Sequence, residues 1–79
     1  PSKSKVNFKF NTNSFGKIEA DIININGGLV LRLFNGVMLA DNLYWNGKDL
    51  NGREAPAGIY FLRLKADNND SAHKFVLLR

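Results

Sequence analysis

The stretch Trp45-Asn46-Gly47-Lys48-Asp49-Leu50-Asn51-Gly52-Arg53-Glu54-Ala55-Pro56-Ala57-Gly58-Ile59-Tyr60 sets turn-forming residues between two strand-like runs. Asn46-Gly47 and Asn51-Gly52 are Asn-Gly pairs. The two central positions of a type I′ turn need φ > 0, which Gly takes freely and Asn better than most residues, so two tight reversals are expected. Asp49 lies between them, where its carboxylate can accept from backbone N–H groups two or three residues on and close an Asx-type turn. Pro56 fixes its own φ and biases Ala55 toward extended geometry, and Gly58 then admits a bulge or a close backbone approach. Trp45 and Tyr60 bracket the segment. Each has an apolar body and one polar tip that needs a partner when buried, and the two are expected to pack together under the loop. Trp45, Gly47, Asp49, Gly52, Gly58 and Tyr60 therefore read as a fold-defining loop, not as a chemical site.

Outward from this loop the chain alternates with the period of strands. Val6, Phe8 and Phe10 alternate with Asn7, Lys9 and Asn11, and Asn11-Thr12-Asn13-Ser14-Phe15-Gly16 breaks the pattern. Ile18, Ala20 and Ile22 alternate with Lys17, Glu19 and Asp21, and the apolar pattern continues through Ile25 to Gly27-Gly28, a hairpin-type reversal. Residues 29–34 are β-prone, interrupted by Arg32, and a third Asn-Gly pair, Asn35-Gly36, follows them. Residues 37–42 read as an irregular crossover before Leu43-Tyr44-Trp45. Tyr60, Leu62, Leu64 and Ala66 alternate with Ile59, Phe61, Arg63 and Lys65. Asp67-Asn68-Asn69-Asp70 reads as the last turn and residues 72–78 as the closing strand. Nothing shows a helical period over ten residues, so the pattern argues a β-sandwich of six or seven strands.

A chain of 79 residues suits one small domain, residues 1–79, which at this length buries only about 60% of the surface its unfolded chain exposes. Residues 1–5 read as the remnant of a linker, and because the chain opens on Pro1 it reads as a fragment with unseen upstream segments. The sequence holds no cysteine, so it can form neither disulfide nor thiolate metal site. Its apolar runs fall short of the roughly 18 to 20 residues of a membrane span. Eleven Lys and Arg against seven Asp and Glu give a net charge of +4. Lys3, Lys5, Lys9 and Lys17 load the first strands while the rest scatter, which suits a solvated face better than the clustered footprint of a nucleic-acid binder. An anionic partner such as phosphate or lipopolysaccharide is the alternative.

No catalytic, metal or cofactor site is expected. His73 has neither a second His nor a Cys to work with, and Ser14 and Ser71 lack a Ser-His-Asp order. Asp49, Asn51 and Glu54 resemble part of a calcium loop, but their spacing is not that of an EF-hand, and turn capping is the simpler reading. The stronger signal is an excess of apolar residues. If Tyr60, Leu62, Phe75 and Leu77 face the core, then Ile59, Phe61, Val76 and Leu78 face outward, and they are expected to form a docking patch.

The pattern Trp45-x-Gly47-x-Asp49-x-x-Gly52, then Pro56-x-Gly58-x-Tyr60-Phe61-x-x-Leu64, then Lys74-Phe75-Val76-Leu77-Leu78-Arg79, resembles the immunoglobulin-like C-terminal domains of exported bacterial proteins. Ile22-Ile23-Asn24-Ile25-Asn26-Gly27-Gly28-Leu29-Val30 and the Pro1-Ser2-Lys3-Ser4-Lys5-Val6 lead-in are similar to that family as well, so the resemblance covers nearly the whole chain. Two groups share it: the type IX secretion C-terminal sorting domain, and the immunoglobulin-like domain of the flagellar hook-capping protein. The first implies an immunoglobulin-like antiparallel β-sandwich without enzymatic activity. It also implies export through the periplasm to the cell surface, with the translocon or sorting machinery and the upstream domains of the parent protein as partners. An edge strand over residues 74–79 would offer that machinery strand addition or carboxylate capture, adding Lys74 and Arg79 to the expected partner surface. The second implies a structural accessory module. A carbohydrate-binding module ranks third, with Tyr44, Phe34 and Phe61 as its aromatic strip.

Overall fold

The computed structural model describes residues 5–9, 17–37, 42–66 and 69–79. They form six strands and, among the described residues, no helix: β1 (Val6–Lys9), β2 (Lys17–Asn24), β3 (Leu29–Val37), β4 (Asn42–Trp45), β5 (Gly58–Ala66) and β6 (Asn69–Leu77). The break expected at 11–16, the centre of the expected crossover at 38–41 and the residues 67–68 of the last turn lie outside the described residues, as do Phe10 and most of the expected linker.

Every pairing is antiparallel. β1 pairs with β4 in one sheet, and the second sheet has the order β3-β2-β5-β6. The chain is an immunoglobulin-like β-sandwich, and its core follows from the alternation. Ile22 faces Leu62 and Ala20 faces Leu64 across the β2–β5 ladder, and these inward positions meet Trp45, Ala55, Tyr60 and Leu77. Trp45 is fully buried at the centre. Its ring lies edge-on to Tyr60 at 5.3 Å and to Phe75 at 5.8 Å, and Phe8 reaches Phe75 at 5.0 Å. Edge-to-face pairs of this kind add to the area buried.

β3 explains why residues 29–34 do not alternate. Ala20 faces Phe34 but Asp21 faces Arg32, and Ile22 faces Leu31 but Ile23 faces Leu29. Leu33 and Val30 are therefore extra residues in two bulges. Each bulge puts two consecutive side chains inward: Val30, Leu31, Leu33 and Phe34 all pack against the core, and Arg32 between them turns out.

One turn signal and part of one expected turn fall inside strands. Asn35-Gly36 is not a reversal: Gly36 pairs with Ile18 and Asn35 with Glu19, so β3 runs on to Val37. Asn69 and Asp70 belong to β6, paired with Ala66 and Lys65, and only two residues are left between the strands. In both places a neighbouring strand satisfies the backbone that a turn would otherwise have closed.

Candidate functional site

The segment 47–55 is a miniature hairpin. Ala55 N–H donates to the Gly47 carbonyl at 2.8 Å and Asp49 N–H to the Arg53 carbonyl at 2.8 Å, with Lys48 bridged to Glu54 between them. The tip closes through Gly52 N–H donating to the Asp49 carbonyl at 3.0 Å. Asp49 Oδ1 accepts from Asn51 N–H at 2.9 Å and Arg53 N–H at 3.0 Å. That cap sets the register, so the central residues of the turn are Leu50 and Asn51, and Gly52 follows them at φ 79°. The reversal is thus a turn closed by a left-handed glycine, not the type I′ turn that would place Asn51-Gly52 at its centre. At the other pair Gly47 takes φ 78° and Asn46 Oδ1 accepts from Lys48 N–H at 3.0 Å. The polar tips of the bracketing aromatics end inside the segment: Trp45 Nε1–H donates to the Lys48 carbonyl and Tyr60 O–H to the Pro56 carbonyl. Gly58, at φ 149°, opens β5 opposite Leu77.

Arg79 joins this loop from the far end of the chain. Its Nε and Nη2 donate to the Ala55 carbonyl at 2.9 and 2.6 Å, and Nη2 also reaches the Gly47 carbonyl at 2.6 Å. Nη1 stands 3.5 Å from Glu54 Oε1. The closing strand ends at Leu77, and the Arg79 side chain turns back onto the loop instead of extending an edge.

The outward face of the four-stranded sheet has two halves. Toward one end, Leu29, Ile23, Phe61 and Lys74 lie in register across β3, β2, β5 and β6, with Ile59 and Val76 paired one step on. Ile25, Leu29, Ile59, Val76 and Leu78 are all exposed, Val76 by 54% and Ile25 by 69%. Ile25 and Ile59 line one shallow groove of about 420 Å³ beside Pro56 and Gly58. Phe61 is half-buried and Ile23 buried on this same face. The other half carries a charged row, Arg32–Asp21–Arg63, one residue from each of three adjacent strands. Arg32 Nε donates to Asp21 Oδ1 at 3.0 Å and Arg63 Nη2 to Oδ2 at 3.3 Å. The Asp21 side chain is only 3% exposed, while both arginine side chains remain about half exposed. The hydrogen bond to Asp21, then the attraction of Asp21 and of Glu19, raise the Arg32 guanidinium above its ordinary value. Arg32, Arg63 and Asp21 carry no expectation from the sequence as a group. The signal was present in Arg32 breaking an apolar run and in Asp21 and Arg63 sharing the outward parity of Glu19 and Phe61.

Other expected positions are scattered. Ile59, Phe61, Lys74 and Val76 do share the outward face, with Leu78 just beyond the end of β6. Tyr44 is exposed on β4, Phe34 packs against the core and Phe61 lies on the opposite sheet, so no planar aromatic strip forms. His73 is exposed opposite Leu62 and Ser71 opposite Leu64, and Ser14 lies outside the described residues. Asp49 Oδ1 already holds two N–H groups and Glu54 faces Arg79, so these two residues are engaged as turn cap and ion pair. A groove of about 510 Å³ between β3 and β4 is lined by Leu31, Leu33, Tyr44 and Trp45, with Lys5 the charged group among its described residues.

A family model described as the secretion system C-terminal sorting domain matches residues 1–78. Two solved structures are similar in fold. One is PorZ of Porphyromonas gingivalis, described as an essential surface component of its type-IX secretion system: TM-score 0.60 and 17% identity over 78% of this chain and 8% of that one. The other is FlgD of P. aeruginosa, with TM-score 0.56 and 23% identity over 92% of this chain and 59% of that one. This chain thus spans a small part of the first protein and somewhat more than half of the second. No curated protein sequence matches it.

Proposed function

The chain belongs to the secretion system C-terminal sorting domains, and from that premise we propose that it is the address of an exported protein and not its working part. Membership implies the type IX sorting machinery as partner and export through the periplasm to the cell surface or extracellular space. The family is non-catalytic. The observation that carries the reading is the match along residues 1–78.

In this reading residues 1–79 act as one domain, the upstream domains of the parent protein are its cargo, and the machinery grips the outward face and the β6 edge. An edge strand presents unpaired main-chain groups, and alternate side chains beside it give selectivity. β6 is such an edge. Lys74 and Val76 lie on it, Ile59 and Phe61 stand on the adjoining strand and Leu78 follows it, so an apolar area with a cation beside it supports the assignment. Arg79 contributes from behind, through the loop. The net charge of +4 leaves surface lipopolysaccharide as a further contact.

The test fuses residues 1–79 to a periplasm-targeted fluorescent reporter in a bacterium with a type IX apparatus. The fusion should reach the surface, and Ile59→Ser with Val76→Ser should hold it in the periplasm. Equal display with and without the domain overturns the reading. The likeness to FlgD over 92% of this chain favours one competitor, a rigid accessory module. In that case display of the parent protein is indifferent to Ile59 and Val76.

A further inference from the structure

We infer that Arg79 is a latch that couples the segment after β6 to the 47–55 hairpin, so that drawing residues 78–79 away opens the hairpin at its base. As residues, both Leu78 and Arg79 lie at the surface, but the Arg79 side chain taken alone is 24% exposed. Chain direction alone would have left both in water. The guanidinium instead reaches across 24 and 32 residues of sequence to two carbonyls, those of Ala55 and Gly47. These are the two residues whose mutual hydrogen bond forms the hairpin's base. Ala55 is 4% exposed, and both donors to its carbonyl come from Arg79. A buried carbonyl that loses its donor is costly.

The rest of the hairpin is held differently. Asp49 caps it internally, and its tip touches the sheet through Leu50 N–H donating to the Val30 carbonyl at 3.2 Å, which the Val30 bulge leaves facing the loop. The tip is therefore tied to β3 and the base to the chain beyond β6. Glu54, 3.5 Å from Nη1, adds an attraction on the exposed side. Lysine would replace this arrangement only in part: one ammonium has donors for both carbonyls, as Nη2 does here, but it cannot at the same time supply the separate Nε bond to Ala55 and the Nη1 contact with Glu54. Coupling of this kind is reciprocal: whatever loosens the hairpin also loosens Arg79. The latch rests on the proposed function only for its use, namely that machinery gripping the end of β6 would at the same time change the loop's shape.

Amide hydrogen exchange on the 79-residue chain tests it. In Arg79→Ala the amides of Asp49 and Ala55, which bond within the hairpin, should exchange roughly 10- to 100-fold faster, the factor that corresponds to hydrogen bonds from a charged donor. The protected amides of β2 and β5 should stay within about twofold, since local opening leaves the core closed. Arg79→Lys should fall between the wild type and Arg79→Ala, since an ammonium keeps donors for the two carbonyls and loses the Nε bond. In the reverse direction, Asp49→Ala should speed solvent exchange of the Arg79 Nε–H. Unchanged exchange at Asp49 and Ala55 overturns the latch. Equal acceleration in β2 and β5 overturns it too, because Arg79 would then support the whole fold and not one hinge. These readouts need no secretion apparatus, so they stand or fall apart from the export experiment.

Discussion

Asp49 is a half-buried side chain that organises the 47–55 hairpin from within. One oxygen holds two backbone N–H groups, those of Asn51 and Arg53, and so fixes the turn one residue earlier than the Asn-Gly pair alone would place it. Asp49→Ala should cost about 0.5–2 kcal/mol, since the two freed N–H groups are exposed and regain water, read as a fall in the urea midpoint with the m-value unchanged. Gly52→Ala should cost about 1–2 kcal/mol by the same measurement. Its φ of 79° is hard for an L side chain, although a Cβ there would meet nothing within 4 Å. Asp49 and Gly52 were legible from the sequence because a cap and a left-handed glycine act on their own backbone neighbourhood. Arg79 was not. Its acceptors stand 24 and 32 residues away, and no local pattern marks the carbonyl that a long flexible cation will find.

At the level of strands the legible part was parity, and the illegible part was register. β5 could be assigned from alternation alone, with Tyr60 and Leu62 inward and Ile59 and Arg63 outward. β3 could not, because two bulges let Val30-Leu31 and Leu33-Phe34 both face the core, which in sequence looks like an apolar run with one misplaced arginine. The bulges bring Arg32 level with Asp21, and the unbroken β2–β5 ladder brings Arg63 level from the other side. Asp21 is thereby covered by its two partners and not by an opposing layer. Breaking a fully buried ion pair costs about 3–5 kcal/mol, but here both arginine side chains are about half exposed and can rehydrate. Asp21→Asn should therefore lose only about 1–3 kcal/mol. Asp21→Leu should lose more than Asp21→Asn, because it removes every acceptor from both arginines whereas the amide oxygen of Asn keeps one. Chemical denaturation of the two variants side by side decides between these sizes of effect.

For the whole molecule, folding and the proposed recognition surface share strand β6, and this limits which experiments are informative. Leu77 is fully buried, and Phe75 touches Phe8, Trp45 and Tyr60. Removing residues 75–79 would take away both along with the Arg79 clamp. A small domain has a net stability of about 5–15 kcal/mol, and loss of a single buried leucine side chain removes about 2–5 kcal/mol. Such a truncation should unfold the chain, seen as loss of near-ultraviolet signal from Trp45, and its failure to be exported would say nothing about a receptor. Val76 and Ile59 separate the two roles, since their side chains point away from that core and are 54% and 41% exposed. Val76→Ser with Ile59→Ser should shift the thermal midpoint by no more than about 4–8 °C, the change that corresponds to about 1 kcal/mol in a domain of this size. The same pair should abolish surface display of the reporter. Display at the wild-type level from this folded variant would remove the outward face from the recognition surface and leave the β6 main-chain edge as the remaining contact.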